Sequence, residues 1–336
     1  MSLPESATAF MSEQAARLRV LAAKKRIVFP EGGDARIQEA AGRLAREGLA
    51  EPVLIGQPPA GGSSGVTFVC PKNSPQTRKY ASLYYERRRA KGITQMEAEE
   101  TAQNPLYFAA LMVAAGDADG VVGGAATTSR ETVRAALHCI GTAPGVRLAS
   151  SVFIMAVRNR EFGHNGLIAF ADCSVVIDPN PSQLANIAIA TAGSVRTLFE
   201  TEPVVALLSY STKGSGRGRA PDKVIEALKI ARLRAPELNV DGELQSDAAL
   251  VESIGKSKAP GSTVAGRANA LIFPDLTSGN IGYKMVERLG DAAAIGPFMQ
   301  GLAKPFNELS RGCSAEDIFN VAIITCLQAE RAKLAG

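Results

Sequence analysis

The sequence predicts an α/β protein of two domains, each built on a mainly parallel sheet flanked by helices. Short apolar runs of strand length alternate with longer stretches whose apolar residues recur at helical spacing. Near the start, residues 27–29, 35–47 and 52–56 fit strand, helix and strand, and this βαβ order implies parallel pairing. A chain of 336 residues has the length of about two ordinary domains.

The elements of the first half follow from turn residues and apolar spacing. Residues 8–24 fit a helix, residues 30–34 a turn, and Gly48 closes the second helix. Residues 57–65 predict a surface loop, and a strand at 119–124 runs into a glycine-rich turn. The remaining predicted elements are a strand at 66–69 and helices at 76–91, 94–103, 105–115 and 130–140.

The second half has strands of its own. Residues 152–157 and 166–171, joined by a turn near Gly163, predict one antiparallel pair. The other predicted strands are 204–208 and 270–273, and the predicted helices are 181–200, 221–234, 245–254 and 280–289.

The turn at 142–145 predicts the domain boundary. The first domain is expected to hold residues 1–145 with 301–336, and the second residues 146–300. The last helix therefore returns to the first domain, and the chain crosses between domains twice.

Composition is that of an ordinary globular enzyme, with 46% apolar and 21% charged residues. The net charge of +4 suits an acidic small molecule, and with no Trp and 5% aromatic residues we expect no nucleic acid. Five scattered cysteines without C-x-x-C spacing favour reduced thiols in the cytoplasm. We expect no secretory signal and no membrane span, because the longest apolar stretch, 106–116, is too short.

Motifs for nucleotides and metals are missing. The run 214–219 fails G-x-G-x-x-G at Arg219, and residues 255–257 lack the earlier glycine of a P-loop. Only His138 and His164 are present, which excludes a histidine-rich metal site. We therefore expect no metal and no nucleotide cofactor.

Residues 119–134 predict an anion site. A strand ending in glycines leads to Thr127, Thr128 and Ser129 at a helix start, where free N–H groups and the helix dipole attract phosphate. Arg134 on the same helix can add a positive charge. Taken singly, each basic residue also fits a solvated surface position.

A second candidate site precedes the last helix. Ser314 with Asp317 three residues later fits a capping box, and an apolar run starts at Ile318. Ser310 and Arg311 lie just outside this helix start. A hydroxyl, a guanidinium and a carboxylate can together bind an anion and take a proton. On spacing alone, a helix cap beside a solvated arginine is the simpler interpretation.

Long segments along the chain point to a family. They are residues 28–32, 85–88, 132–134, 170–172, 208–215, 241–249, 258–262, 273–276, 279–284, 300–305 and 309–314. Through them the sequence resembles the phosphate acetyltransferases in their short form. Matches of this length and number are not expected by chance, so they indicate this family specifically.

The resemblance implies reversible transfer of an acetyl group between acetyl phosphate and coenzyme A, with release of phosphate. Coenzyme A is then a substrate, and no metal or other cofactor is implied. By position, Asp317 is the implied base, with Ser310 and Arg311 as its partners. The resemblance also implies a homodimer through the second domain, and two lobes like those of isocitrate and isopropylmalate dehydrogenases with the active site in the cleft between them.

Arginines that match the family's substrate-binding positions are Arg88 and Arg134. Because Arg88 stands between Arg87 and Arg89, a shift of one position leaves Arg87 open as the binding residue. The other candidate substrate-binding residues are Thr128, Ser129, Asn280 and Tyr283.

Several alternatives stay open at this point. A phosphate butyryl- or propionyltransferase would differ in the shape of the pocket that holds the acyl chain. One methylene group in an apolar pocket changes the free energy by which substrates are discriminated by only about 1–3 kcal/mol. A non-catalytic regulatory module conflicts with the intact Ser310, Arg311 and Asp317, and a decarboxylating dehydrogenase would need carboxylate ligands and a cofactor loop that are missing. Cys313 or Cys173 could accept the acetyl group covalently.

Asp317 presents one chemical difficulty. A carboxylate in the first helical turn is a weakened base, since the positive end of the helix dipole favours its ionised form. We expect burial of Asp317 to offset this effect, or Arg311 to help ionise the thiol instead.

Overall fold

The computed structural model of the protein describes residues 3–58 and 64–334, so part of the predicted loop 57–65 lies outside the described residues. Its helices are α1 (Glu5–Arg19), α2 (Ala35–Arg46), α3 (Thr77–Arg88), α4 (Gln95–Gln103), α5 (Pro105–Ala114), α6 (Ser129–Cys139), α7 (Pro181–Phe199), α8 (Arg219–Arg234), α9 (Ser246–Leu250), α10 (Glu252–Lys258), α11 (Leu276–Leu289) and α12 (Ala315–Leu334). Its strands are β1 (Arg26–Phe29), β2 (Glu51–Ile55), β3 (Thr67–Val69), β4 (Gly120–Gly123), β5 (Ser150–Ala156), β6 (Leu167–Ala171), β7 (Val205–Leu208), β8 (Val240–Leu244), β9 (Ala270–Ile272), β10 (Ala293–Gln300) and β11 (Phe306–Glu308).

The chain forms two compact units. The flanking unit holds Ser12–Gly145 and the chain from Leu302 onward, and the middle unit holds Val146–Gly301 with the residues up to Met11. Each unit contains one sheet with helices packed on it, which confirms the expected α/β class.

The sheet of the flanking unit is parallel throughout, in the order β11-β4-β1-β2-β3. The chain runs from β1 outward to β2 and β3, then returns to place β4 on the other side of β1. The point between β1 and β4 is therefore a topological switch point, where ligands of parallel sheets commonly bind beyond the carboxyl ends of the strands.

Helix α12 packs on this sheet and against α2. A Cβ on Gly120 of β4 would lie 2.6 Å from Thr325 Cγ2, so only glycine allows this approach. Arg43 of α2 lies over the Phe319 ring at 3.7 Å and forms an ion pair with Glu316. These contacts fix the start of α12 at the carboxyl end of the sheet.

The sheet of the middle unit has the order β10-β5-β6-β9-β7-β8. β5 and β6 pair antiparallel, which confirms the predicted hairpin, and β10 adds a second antiparallel pair on β5. Sequence patterns missed three strands of the chain: β8, β10 and β11. The predicted single helix at 245–254 is two short helices, α9 and α10.

The start of the chain differs from the predicted first domain, residues 1–145. The residues up to Met11 group with the middle unit instead. Ser6 Oγ donates to the carbonyl oxygen of Val157 at 2.9 Å, and the Phe10 ring meets Phe199 edge-on. Contacts so distant in sequence leave no local pattern.

Among the described residues, no helix combines the length and the apolar character that crossing a membrane requires.

Candidate active site

The candidate site lies at the carboxyl ends of β1, β4 and β11 in the flanking unit. Two loops meet there: the glycine loop, residues 123–128, and the serine-arginine loop, residues 309–314. Leu309 N donates to Gly123 O at 2.8 Å. A Cβ on Gly124, whose φ is +113°, would lie 2.8 Å from Leu309 O, so glycine is required for the loops to touch.

Ser314 and Asp317 form the predicted capping box at the start of α12. Asp317 Oδ2 accepts from Ser314 N at 2.9 Å and from Ser314 Oγ at 2.8 Å, while Asp317 N donates to Ser314 Oγ at 3.1 Å. The Asp317 side chain is exposed, so the expectation that burial strengthens it as a base is wrong. The cap orients the carboxylate at the edge of the site and leaves it open to a ligand.

Ser310 and Arg311 are also exposed, directly before this cap. Gly312 N donates to Ser310 Oγ at 3.3 Å, and Cys313 N donates to Ser310 O at 3.0 Å. These bonds make a tight turn that places both residues directly before the cap of Asp317. The structure thus brings the three predicted catalytic residues together.

Arg36 holds the serine-arginine loop, and sequence reasoning missed it. Its guanidinium donates to Arg311 O at 3.0 Å, to Cys313 O at 2.8 Å and, from the other nitrogen, to Ala125 O at 3.0 Å. Asp34 accepts from Arg36 at 2.7 Å, and this hydrogen bond lowers the pKa of the Asp34 carboxyl. Because Arg36 binds backbone oxygens of both loops, their mutual position depends on it.

Glu31, which follows β1, holds the glycine loop. Its Oε1 accepts from Gly124 N at 2.9 Å, from Ala126 N at 3.4 Å and from Thr127 Oγ1 at 3.1 Å. Three donors from the glycine loop thus converge on this one carboxyl oxygen. The glycine in the loop had been predicted, but its acidic partner, distant in sequence, had not.

Thr128 and Ser129 lie at the start of α6, as predicted for an anion site. Thr128 is the N-cap, and its hydroxyl is engaged by Glu131 in a second capping box at 2.7 Å. The same hydroxyl cannot also donate to a ligand without breaking that contact. Ser129, the first residue of α6, lies near the carboxyl of Glu308, the last residue of β11.

Glu308 is the third residue that the sequence did not suggest. It is only 4% exposed, and its Oε2 atom is buried without a hydrogen-bond partner. Burial raises the pKa of the Glu308 carboxyl, and the nearby Ser129 hydroxyl opposes this rise. The neutral acid is therefore favoured more than in an ordinary glutamate.

The structure separates the two candidate arginines at the end of α3. Arg87 Nη1 donates to Ile140 O at 3.2 Å, which satisfies a carbonyl at the end of α6. Arg88 and Arg134 both lie near His138, whose pKa is lowered first by burial and then by these two positive charges. Arg88 and Arg134 therefore form a shared positive patch on α3 and α6.

The two cysteines considered as nucleophiles are buried. Burial raises the pKa of the Cys313 thiol, and it raises that of Cys173 well above its usual value. Since the thiolate is the nucleophile, both residues are poorly suited to accept an acetyl group.

Asn280 and Tyr283 lie on α11 in the middle unit. Asn280 Nδ2 donates to Cys173 O at 3.1 Å, and the Tyr283 ring stacks on Phe153 with centroids 4.3 Å apart. Both side chains thus have structural contacts within their own unit.

Comparison with known proteins places these features in a family. The family model described as phosphate acetyl/butaryl transferase matches residues 10–326. A phosphate acetyltransferase of Acetivibrio thermocellus is 48% identical over 316 residues, which are 92% of this chain and 95% of that protein. A phosphotransacetylase structure from Streptococcus pyogenes has a TM-score of 0.91 and 43% identity, over 98% of this chain and 100% of that one.

A more distant structure shares the fold. A 4-hydroxythreonine-4-phosphate dehydrogenase from Klebsiella pneumoniae has a TM-score of 0.51 and 12% identity, over 91% of this chain and 100% of that one. At this identity the likeness concerns the fold alone, and it agrees with the expected dehydrogenase-like architecture.

Proposed function

Because the chain belongs to the phosphate acetyl/butaryl transferase family and is an acyltransferase, we propose that it transfers an acetyl group reversibly between acetyl phosphate and coenzyme A. The likeness to phosphate acetyltransferases over nearly the whole chain carries this proposal. The loops of the flanking unit support it, because they gather a hydroxyl, a guanidinium and a carboxylate beside a helix start suited to phosphate.

The chemical step is a direct attack in a ternary complex. The coenzyme A thiol loses its proton, its sulfur bonds to the carbonyl carbon of acetyl phosphate, and the bond from that carbon to the phosphate oxygen breaks. A free thiol has a pKa of about 8.5, so a positioned acceptor is needed near neutral pH. Asp317 takes this proton, since its exposed carboxylate is open to a ligand and the cap holds it in place. Because burial does not strengthen Asp317 as a base, Arg311 is the group that helps to ionise the thiol.

Ser310 and Arg311 act on the developing charge. Arg311 stabilises the oxyanion and the leaving phosphate, as preorganised positive charge does in acyl transfer. Ser310 orients the thiol or the carbonyl oxygen. The backbone bonds from Arg36 support both roles, because they fix the loop without occupying the Arg311 guanidinium.

A thiol-consumption assay tests the function. Coenzyme A is mixed with acetyl, propionyl or butyryl phosphate, without added metal or nucleotide and with a chelator. We expect the fastest loss of free thiol with acetyl phosphate, and no effect of the chelator. Faster turnover of butyryl or propionyl phosphate would instead indicate the related acyltransferase, and no thiol loss with any of them contradicts the proposal.

Arg88→Gln and Arg134→Gln are expected to raise KM for coenzyme A or acetyl phosphate, with a smaller change in kcat. A charge-assisted hydrogen bond is worth about 1.5–3 kcal/mol, which corresponds to a rise of roughly 10- to 150-fold. Initial rates over a range of both substrates measure this effect. The matched control is Arg87→Gln, whose guanidinium is used at Ile140 O. A larger KM effect in that control would reverse the assignment.

We further propose a homodimer formed through the middle unit. Helix α11 exposes Ile281, Met285 and Leu289, which are 53%, 53% and 79% exposed and recur every four residues. Such spacing places them on one helix face, and an exposed apolar face typically contacts a partner.

Light scattering is expected to give twice the chain mass of 35.2 kDa. Met285→Glu should lower this to a single chain, because a charge in an apolar interface is costly. Leu233→Glu is the control, since Leu233 is an 83% exposed leucine on α8. A monomeric wild type, or a Met285→Glu dimer, contradicts this interface.

A cytoplasmic location is part of the proposal. All five cysteines are free thiols, which suits a reducing compartment. Coenzyme A and acetyl phosphate, the proposed substrates, are themselves anionic and suit the mildly basic chain.

A further inference from the structure

The hydrogen-bond donors of Arg36 are all used within the protein. A guanidinium carries five N–H donors and no acceptor. Arg36 Nε and Nη2 donate to the two carboxyl oxygens of Asp34, at 3.1 and 2.7 Å. Nη2 also donates to Ala125 O at 3.0 Å, and Nη1 donates to Arg311 O at 3.0 Å and to Cys313 O at 2.8 Å. Five oxygens thus accept from five donors, which leaves none for a substrate.

The three backbone oxygens bound by Arg36 belong to both loops of the candidate site. One lies in the glycine loop and two lie in the serine-arginine loop. A direct bond between the loops, from Leu309 N to Gly123 O, joins their first residues. Arg36 joins them farther along, at the residue that is proposed to stabilise the developing charge, Arg311.

Asp34 fixes the direction of the Arg36 side chain. Asp34 is the N-cap of α2, and its Oδ1 accepts from Arg36 N at 2.9 Å as well as from Arg36 Nε. One carboxylate therefore binds both the backbone and the guanidinium of the same residue. Two parallel bonds between a guanidinium and a carboxylate restrict the orientation of both groups. Arg36 thus reaches the loops from a fixed helix start.

Resting on the proposed function, we propose that Arg36, oriented by Asp34, is a positioning residue that holds Arg311 at its working distance from the glycine loop. Arg36 does not touch the substrates. It acts through the backbone of Arg311, so that the Arg311 guanidinium lies where charge develops in the transition state. A misplacement of about 1 Å can lower a rate about 10²-fold.

Lysine cannot replace Arg36 in this role. Its ammonium carries three donors on one nitrogen, and one nitrogen cannot reach a carboxylate and the backbone oxygens of two loops together. Glu31 cannot compensate, because the three donors that its Oε1 accepts from all lie in the glycine loop. Loss of Arg36 should therefore release the serine-arginine loop and leave the glycine loop attached.

Kinetics of Arg36→Gln and Arg36→Lys test this role. Both should lower kcat about 10²-fold, with a much smaller change in KM, since neither removes a contact to a substrate. The double variant with Arg311→Gln should lose less than the product of the two single losses, because a misplaced Arg311 contributes little that can still be lost. Arg46→Gln, at an exposed arginine that ends the same helix, is the control and should keep wild-type kcat.

Amide hydrogen exchange gives a readout that does not depend on activity. In both Arg36 variants, residues 309–314 should exchange faster than in the wild type. Residues 123–128, which Glu31 still binds, and the strands of the middle unit should exchange at the wild-type rate.

Asp34→Asn is a milder variant, which serves if the Arg36 variants do not fold. Its amide oxygen can still accept from Arg36 N and keep the helix cap. The bond from Arg36 Nη2 is lost, because the second carboxyl oxygen becomes an amide nitrogen. This variant should show the same fall in kcat and the same faster exchange, each smaller in size.

The outcomes separate this role from the others. Wild-type kcat in the Arg36 variants, a change in KM alone, or independent losses in the double variant overturns the positioning role and leaves the proposed function standing. A lowered kcat with unchanged exchange of residues 309–314 overturns it too, because Arg36 would then act on a substrate directly. Faster exchange throughout the flanking unit overturns it in favour of a role in stability. A wild type without acetyl transfer overturns the proposed function, and the exchange result then decides by itself whether Arg36 holds the loop.

Discussion

Asp317→Asn is expected to lower kcat about 10²–10⁴-fold, the usual contribution of a positioned base. The substitution removes the charge that accepts the thiol proton but keeps an oxygen that can accept from Ser314 N and Oγ. The helix cap should therefore survive, and KM and the thermal unfolding midpoint should change little. Steady-state kinetics with acetyl phosphate and coenzyme A measure the effect.

The control for this prediction is a carboxylate away from the two loops. Glu100→Gln removes the same charge from the same unit, at an exposed side chain on α4. We expect near-normal kcat there. Near-normal turnover in Asp317→Asn would remove the base assignment, and an equal loss in both variants would point to a general electrostatic effect.

Arg311→Gln is expected to lower kcat about 10²–10³-fold, as when one donor to a developing oxyanion is lost. The loop should keep its shape, because Arg36 binds the backbone oxygens of Arg311 and Cys313 rather than the Arg311 side chain. The defect should thus lie in kcat more than in KM, because the guanidinium acts mainly on charge that develops in the transition state.

Arg331→Gln provides a comparison for Arg311→Gln. Arg331 is an exposed arginine near the end of α12, far along the helix from the cap. Its loss removes the same charge from the same unit and should leave kcat unaltered. If Arg311→Gln raised KM alone, the guanidinium would bind ground-state phosphate and play no part in the transition state.

The elements that were predicted correctly depend on residues close together in the sequence. The capping box at Ser314 and Asp317 joins residues three apart, and the βαβ unit at the start of the chain rests on apolar spacing within short windows. The antiparallel pair β5 and β6 was equally local, since a single turn near Gly163 joins them.

The missed strands have buried polar residues or a proline in them. In β8, Asp241 is held by Lys213 and Ser262, and in β11, Asn307 donates to Thr325. Polar residues in a strand hide the apolar pattern when their partners lie far away in sequence. β10 carries Pro297, and a proline inside a run argues against a strand unless the pairing is irregular there.

The sequence by itself determined the α/β class, the family resemblance and the proximity of Ser310, Arg311 and Asp317, because each depends on residues close together in the chain. Tertiary structure alone brought Arg36 and Glu31 into contact with the loops of the candidate site and buried Glu308 beside them. It also set Arg87 apart from Arg88. The reason is physical, because these contacts join residues that are far apart in the chain. Such residues can bury one another or share a hydrogen bond only after separate strands have come to end at one edge of a sheet.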